Sequence, residues 1–436
     1  MYNGELIVDL FAGGGGASTG IEMALGVSPD IAVNHDPQAI ALHAENHTKT
    51  KHYIEDVFDV DPVEICEGKP VALLWLSPDC KHFSKAKGAA PVSCEVRSLA
   101  TVGIRWAKEV RPTIIMLENV EEFKTWGPLC ENNKPIKERQ GELFNEYVSD
   151  YNKLGYEVDW QELKASDYGA PTTRKRLFLV ARCDGADITF PTATHGDPKK
   201  LPERKPWKTA AECIDWSVPA HSIFLTKDEG KEVGVRRPLV DNTMKRIANG
   251  IKKFVLDNSN PFVLDSSTTF VPTFYGETKV DAPRGSYMDS TVGTITAGGG
   301  RHALVVPFMK KYGLDHKKLG DGGEKVYSYI MKYYGQGEGS TFNDPAHTIT
   351  TKERFAIVNV HEVKYEIVDI SMRMLTPREL YRAQGFPDSY KINMIYNNRK
   401  FPKSAQVRMC GNSVVPALAK ALIQSNFESL YIKRTA

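Results

Sequence analysis

Between residues 5 and 182, short apolar runs alternate with stretches of helical periodicity, and few folds accept that alternation. Glu5 to Leu10, Ile31 to Val33, Val71 to Leu76, Thr113 to Leu117 and Leu177 to Ala181 read as strands. Gly20 to Leu25, Pro37 to Glu45, Glu95 to Val110 and Gly141 to Leu154 read as the helices between them. Runs this apolar leave no face for water, so the strands are expected to lie parallel and covered on both sides. The expected fold class is α/β, a doubly wound and mainly parallel sheet of Rossmann-like type, with its ligand site outside the carboxyl ends of the strands.

Beyond about residue 190 the pattern changes. Proline, glycine, Ser and Thr rise and short β-like runs replace helices, until Thr376-Pro377-Arg378-Glu379 signals a new helix start by a capping acceptor, a proline and a glutamate. The expected organisation is a catalytic and cofactor-binding domain over 1–188, a smaller β-rich insert over 189–371, and a return to the first domain over 372–436. Inside the insert lies a weak repeat. Thr294-Ile295-Thr296 and Ala303-Leu304-Val305 correspond to Thr348-Ile349-Thr350 and Ala356-Ile357-Val358. Two similar hairpins account for it; alternatively, loops tipped by Arg301 and Arg354 touch one partner.

Composition narrows the function classes. A net charge of +2 does not announce nucleic acid, so any basic surface is local. Seven cysteines without a C-x-x-C pair argue for a reducing compartment and against a disulfide scaffold or a structural zinc site. No apolar stretch reaches the ~20 residues that span a bilayer. The expectations are a cytoplasmic monomer with no membrane partner and no metal.

The residues with chemistry cluster at the predicted strand ends. Asp9-Leu10-Phe11-Ala12-Gly13-Gly14-Gly15-Gly16 joins the first strand to a helix, with glycines for close backbone approach and Phe11 as a flat face for a purine. A dinucleotide would suit such a loop as well. Asp36 follows the second strand, where nucleotide folds place an acid for ribose hydroxyls; Asp56, after a third strand, could accept from an adenine amino group. His43 and His47 stand one turn apart on a predicted helix, and are read as surface histidines rather than zinc ligands. Cys80 follows the Val71 to Leu76 strand, with Lys81 and His82 favouring a thiolate and Asp79 opposing one. Glu118 ends a strand too apolar to leave a carboxylate there casually. Arg174 and Arg176 alternate on one face of an extended segment, suited to a base oxygen and a phosphate.

In order along the chain stand Phe11-Ala12-Gly13-Gly14-Gly15, Pro78-Asp79-Cys80-Lys81-His82-Phe83-Ser84, Glu118-Asn119-Val120, Arg174-Lys175-Arg176, Leu375-Thr376-Pro377-Arg378-Glu379, Gln384-Gly385-Phe386-Pro387 and Gly411-Asn412-Ser413-Val414. The set resembles the DNA (cytosine-5)-methyltransferases over roughly 1–185 and 372–430, and the Cys80 segment is similar to that of phage-borne members. The resemblance implies S-adenosyl-L-methionine as cofactor and double-stranded DNA as partner, with the insert as target-recognition domain. It implies that Cys80 adds to C6 of a flipped-out cytosine, that Glu118 engages N3, and that Arg174 holds O2 with Arg176 beside it. Phe11, Gly13, Gly15, Asp36, Asp56, Pro78, Asn412 and Ser413 are then expected in the cofactor pocket, and Ser84, Arg301 and Arg354 on DNA. Three positions depart from the family pattern: Asp79 separates Pro78 from Cys80, Thr172 stands where glutamine is usual, and Asn34 or His35 competes with Asp36 for the ribose. An RNA cytosine-5 methyltransferase of the same fold and a catalytically silent DNA-binding homologue are the alternatives; a labelled-methyl assay on DNA and tRNA separates them.

Overall fold

The structure is a computed structural model that describes residues 2–78, 101–130, 135–257, 263–264, 267–268, 270–272, 285–297, 302–311, 357–360 and 363–435. The chain divides into two compact units, Met1–Trp207 with Thr294–Gly299 and Leu380–Ala436, and Lys208–Gly293 with Gly300–Glu379. The borders thus fall at 207 and 379, where the sequence pattern suggested 188 and 371, and the short segment 294–299 belongs to the first unit.

Among the described residues, the first unit is built on seven strands: β1 (Leu6–Leu10), β2 (Ile31–Val33), β3 (Lys51–Tyr53), β4 (Val71–Leu76), β5 (Ile114–Asn119), β6 (Glu157–Lys164) and β7 (Lys175–Arg182). Their spatial order is β3-β2-β1-β4-β5-β7-β6. The first five run parallel; β7 opposes β5, and β6 opposes β7. All residues of β1, β4 and β5 are buried, as strands covered on both faces must be. One face carries Trp106 of the helix Val102–Glu109 and Phe144, Tyr147 and Tyr151 of the helix Glu142–Lys153. The other carries Ile21 of α1 (Gly16–Leu25) and Leu418, Leu422 and Phe427 of the terminal helix Pro416–Thr435. Gly20 makes that second contact close, since a Cβ there would lie 2.5 Å from the Ala419 Cβ.

Helix starts follow local chemistry. Asp36 caps α2 (Pro37–Asn46) by accepting from Gln38 N at 2.9 Å, with proline in the first turn. Edge strand β6 has no counterpart among the apolar runs of the sequence. Its Glu157, Asp159, Trp160 and Gln161 are exposed, so it carries no buried run to betray it. Strand order reverses between β1 and β4: the chain leaves β1 outward to β2 and β3, then returns to β4 on the opposite side. The chain after β1 leads to α1 on one face and the chain after β4 leads to the helix Val102–Glu109 on the other, and such a switch opens a crevice at the strand ends.

The second unit is an antiparallel sheet with strand order His221–Ser222, Val363–Met374, Ala303–Lys311, Ser267–Thr268, Val263–Leu264. Its core joins Met244, Ile247 and Phe254 to Val305, Ile370 and Met372. From the internal repeat, the strands Ala303–Lys311 and Ile357–Val360 both pair with Val363–Met374, the second as a hairpin. The expected capping box is present. Thr376 N donates to Glu379 Oε2 at 2.7 Å and Glu379 N to Thr376 Oγ1 at 3.3 Å, while Arg373 grips the same carboxylate at 2.7 and 2.8 Å. No described helix is long and apolar enough to cross a membrane.

Candidate active site

The crevice at the switch between β1 and β4 gathers most of the described candidates. Phe11 leaves β1 in the left-handed region at φ 60°, which turns the chain sharply into the glycines. Ala12 N donates to Val33 O at 3.0 Å, and Asn34 Nδ2 donates to Ala12 O at 3.1 Å, so the loop is tied to the end of β2. The four glycines are not equivalent. A Cβ at Gly14 would meet Met409 Cβ at 2.9 Å, at Gly15 the Tyr390 hydroxyl at 2.4 Å, and at Gly16 the Val414 carbonyl oxygen at 2.0 Å and Ser413 Oγ at 2.1 Å. At Gly13 it would meet nothing nearer than Phe11 O at 4.0 Å. Three glycines let the protein close on itself, and Gly13 leaves backbone open.

Asp36 has partners other than a ligand. Its carboxylate caps α2 and pairs with Arg408, whose second nitrogen donates to Gln38 Oε1 at 2.7 Å. Burial works against the charge, but Arg408 and the helix amides prevail and hold Asp36 below the usual carboxylate range. His35, one residue earlier, is exposed, as is Asp56, whose Oδ1 accepts from Phe58 N at 3.0 Å. Asn412 is exposed at the end of the helix Lys403–Asn412, and Ser413 beside it is buried.

Around β4 and β5 the carboxyl ends are stitched together. Ser77 N donates to Leu10 O at 3.4 Å, and Asn119 Nδ2 reaches Pro78 O at 3.5 Å. Pro78 is thereby fixed between β1 and β5. Cys80, together with Ser84, Arg301 and Arg354, lies outside the described residues.

Glu118 is 6% exposed at the end of β5. Its Oε1 lies 3.2 Å from Arg176 Nε and 3.8 Å from Arg174 Nη2. Arg174, itself buried, donates from Nη1 to Gly411 O at 3.1 Å and Ile295 O at 3.4 Å. Gly411 permits that convergence, because a Cβ there would lie 2.2 Å from the Thr296 carbonyl carbon. Three segments distant in sequence thus meet behind one carboxylate. Two arginines facing a buried acid offset its charge and set planar hydrogen-bonding groups beside one carboxylate.

The α2 histidines differ from the surface pair expected. His43 is 0% and His47 2% exposed, because this face of α2 packs beneath the glycine loop. Burial, then the neighbouring histidines, hold His43 well below the usual imidazole range. Asp9, inside β1, is also buried, and burial lifts its carboxyl to about 7 against the hydrogen bond from Ser18. The one clue to this network in the sequence was an acid inside an otherwise apolar strand. Among the described residues no cluster could hold a metal ion.

The family model described as C-5 cytosine-specific DNA methylase matches residues 6–428. The Type II methyltransferase M.AgeI of Thalassovita gelatinovora is 24% identical over 96% of this chain and 98% of that relative. The Type II methyltransferase M.Sau3AI of Staphylococcus aureus is 23% identical over 91% of this chain and 90% of its own length. Among solved structures, the Entamoeba histolytica methyltransferase EhMeth shares the fold at TM-score 0.51 and 13% identity, over 98% of this chain and 99% of that one. The S. pombe Dnmt2 methyltransferase does so at TM-score 0.50 and 15% identity, with the same coverage.

Proposed function

The chain belongs to the family of C-5 cytosine-specific DNA methylases, and from that premise we propose that it methylates C5 of a cytosine swung out of duplex DNA, using S-adenosyl-L-methionine and a transient covalent bond from Cys80. The observation that carries this reading is Glu118, a buried carboxylate faced by two arginines, one residue from the Asn119 side chain that reaches Pro78 O.

A stacked cytosine is out of reach of a side chain, so the base must leave the helix at a cost of a few kcal/mol. Cys80, as thiolate, then adds to C6 while Glu118, in its protonated form, gives its proton to N3 and so takes up the charge that builds on the ring, recovering the proton when the thiolate leaves. Arg174 holds O2, and Arg176 keeps Glu118 oriented. Addition at C6 makes C5 nucleophilic. S-adenosyl-L-methionine, when bound, supplies an electrophilic sulfonium methyl group. Loss of the C5 proton and expulsion of the Cys80 thiolate restore the aromatic ring.

Phe11, Gly13, Gly15, Asp56, Pro78, Asn412 and Ser413 would hold the donor, with Asp36 acting beside them through α2. Two features fit such a ligand. Gly13 has open space where a side chain would stand, and the buried Ser413 Oγ has no hydrogen-bond partner among the described residues. Ser84, Arg301 and Arg354 are assigned to DNA. The test is transfer of a labelled methyl group to duplex DNA and to tRNA in parallel. Label at cytosine C5 of DNA, lost in Cys80→Ala while DNA binding persists, is the expected result. Label in tRNA alone would move the substrate to RNA, and no label in either would sink the catalytic reading.

A further inference from the structure

Beneath the glycine loop, polar side chains form a continuous chain through the core. Ser18, in the first turn of α1, donates to Asp9 Oδ2 at 2.6 Å. The same hydroxyl lies 2.8 Å from His43 Nε2, and His43 Nδ1 lies 2.8 Å from His52 Nε2 on β3. A serine has one proton to give. With that proton on Asp9, His43 must donate from Nε2 and accept at Nδ1 from His52, so one tautomer runs through the whole chain.

A second branch touches the loop itself. The His47 ring packs 4.6 Å from that of His43, with the Glu22 carboxylate 3.2 Å from its Nδ1. Its Nε2 is 3.5 Å from Thr19 Oγ1, which donates to Gly15 O at 2.6 Å. A Cβ on Gly15 would come within 3.1 Å of that same nitrogen. From above, Tyr390 donates to Gly14 O at 2.7 Å. Buried polar groups cost stability unless they are satisfied, and a core this apolar could have been closed with Leu or Val. What the network achieves is a fixed path for the backbone at Gly14 and Gly15.

We propose that His43 and His47 are positioning residues for the methyl donor, His43 through Ser18 and Asp9 and His47 through Gly15, which together hold the glycine loop in its binding conformation. The proposal rests on the reading of that loop as the donor site. A positioning role is expressed in donor affinity, whereas a purely structural one is expressed in stability alone.

The test uses the full chain and S-adenosylhomocysteine as probe, with binding by calorimetry, donor KM and kcat by methyl transfer, and Tm recorded for each variant. His47→Leu should raise Kd and donor KM about tenfold, with kcat at saturating donor changing far less. His47→Gln, which returns a polar atom near Nε2, should recover most of the affinity. His52→Leu, at the half-buried end of the chain, should weaken binding a few-fold and decides the matter if His47→Leu does not fold. Unchanged Kd in the folded variants, with only Tm lowered, would overturn the proposal. Failure of the wild type to bind the probe would instead overturn the donor-site reading.

Discussion

The glycine loop after β1 and the Glu118 cluster at the end of β5 stand at the carboxyl ends of one sheet, yet they are held in different ways. Asn34, Thr19, His43 and His47, all within the first 47 residues of the chain, supply most of the polar support of the loop, while Tyr390 donates to it and Met409, Ser413 and Val414 pack against its glycines. The Glu118 cluster depends on sequence-distant contacts, Arg174 reaching 121 residues on to Ile295 and 237 residues on to Gly411. The loop draws its hydrogen bonds mainly from nearby sequence and is hardened by a buried polar network. The cluster forms only when residues 174, 295 and 411 have come together. Damage to the first should therefore appear as weaker donor binding, and damage to the second as lost chemistry or lost fold.

The sharpest way to break that contrast is Glu118→Gln. It keeps size and hydrogen-bonding capacity but loses the ionisable group, and should lower kcat by about 10²–10⁴-fold with donor affinity unchanged. A comparable loss of donor affinity would erase the distinction between the regions. Next in size is Arg174→Ala, which removes the tie to Gly411 and Ile295 and one of the two cations facing Glu118. It should cost about 3 kcal/mol in urea unfolding, at the lower end for a broken buried pair because Arg176 remains.

Within the loop, two glycines divide the roles. Gly16→Ala drives a methyl group into Val414 O and should cost about 1–3 kcal/mol of stability through overpacking. Gly13→Ala meets no neighbour closer than 4.0 Å and should leave stability within about 0.5 kcal/mol of wild type, while still weakening donor binding. The last test concerns pH. Asp9 binds its proton more tightly folded than unfolded, since its carboxyl is raised to about 7 from an unfolded value of about 3.9. Its contribution to stability is present at low pH and is lost as pH rises through about 7. Asp9→Asn removes that titration, so its stability relative to wild type should climb between about pH 4 and 7 and level off above, as measured by denaturant midpoints at each pH.

Much of the first unit was legible because parallel strands buried on both faces leave continuous apolar runs. Leu6–Leu10, Ile31–Val33 and Val71–Leu76 fall where those runs lie. Edge strand β6 was not legible, since one solvated side and many charges give it the composition of a loop. Glu118 could be singled out because a carboxylate ending an apolar strand is unusual. Its dependence on Gly411 and Ile295 could not, because nothing local links residue 174 to 295 or 411. The buried state of His43 and His47 was hidden for a related reason: a polar helix face reads as solvated unless its partners, here Asp9, Ser18 and Gly15, are known to lie opposite. Asp36 shows the same limit, since its position after β2 suits a ribose, but its partner Arg408 is 372 residues away.

The account stands on a covalent bond between Cys80 and C6 of cytosine, and a duplex carrying 5-fluorocytosine at the target position tests it most directly. With S-adenosyl-L-methionine present, methyl transfer should proceed but the fluorine at C5 cannot leave as a proton does. The wild-type chain should therefore remain joined to the DNA through denaturing electrophoresis, and Cys80→Ala should not. Wild-type chain that methylates ordinary DNA yet leaves the fluorinated duplex free would contradict the account.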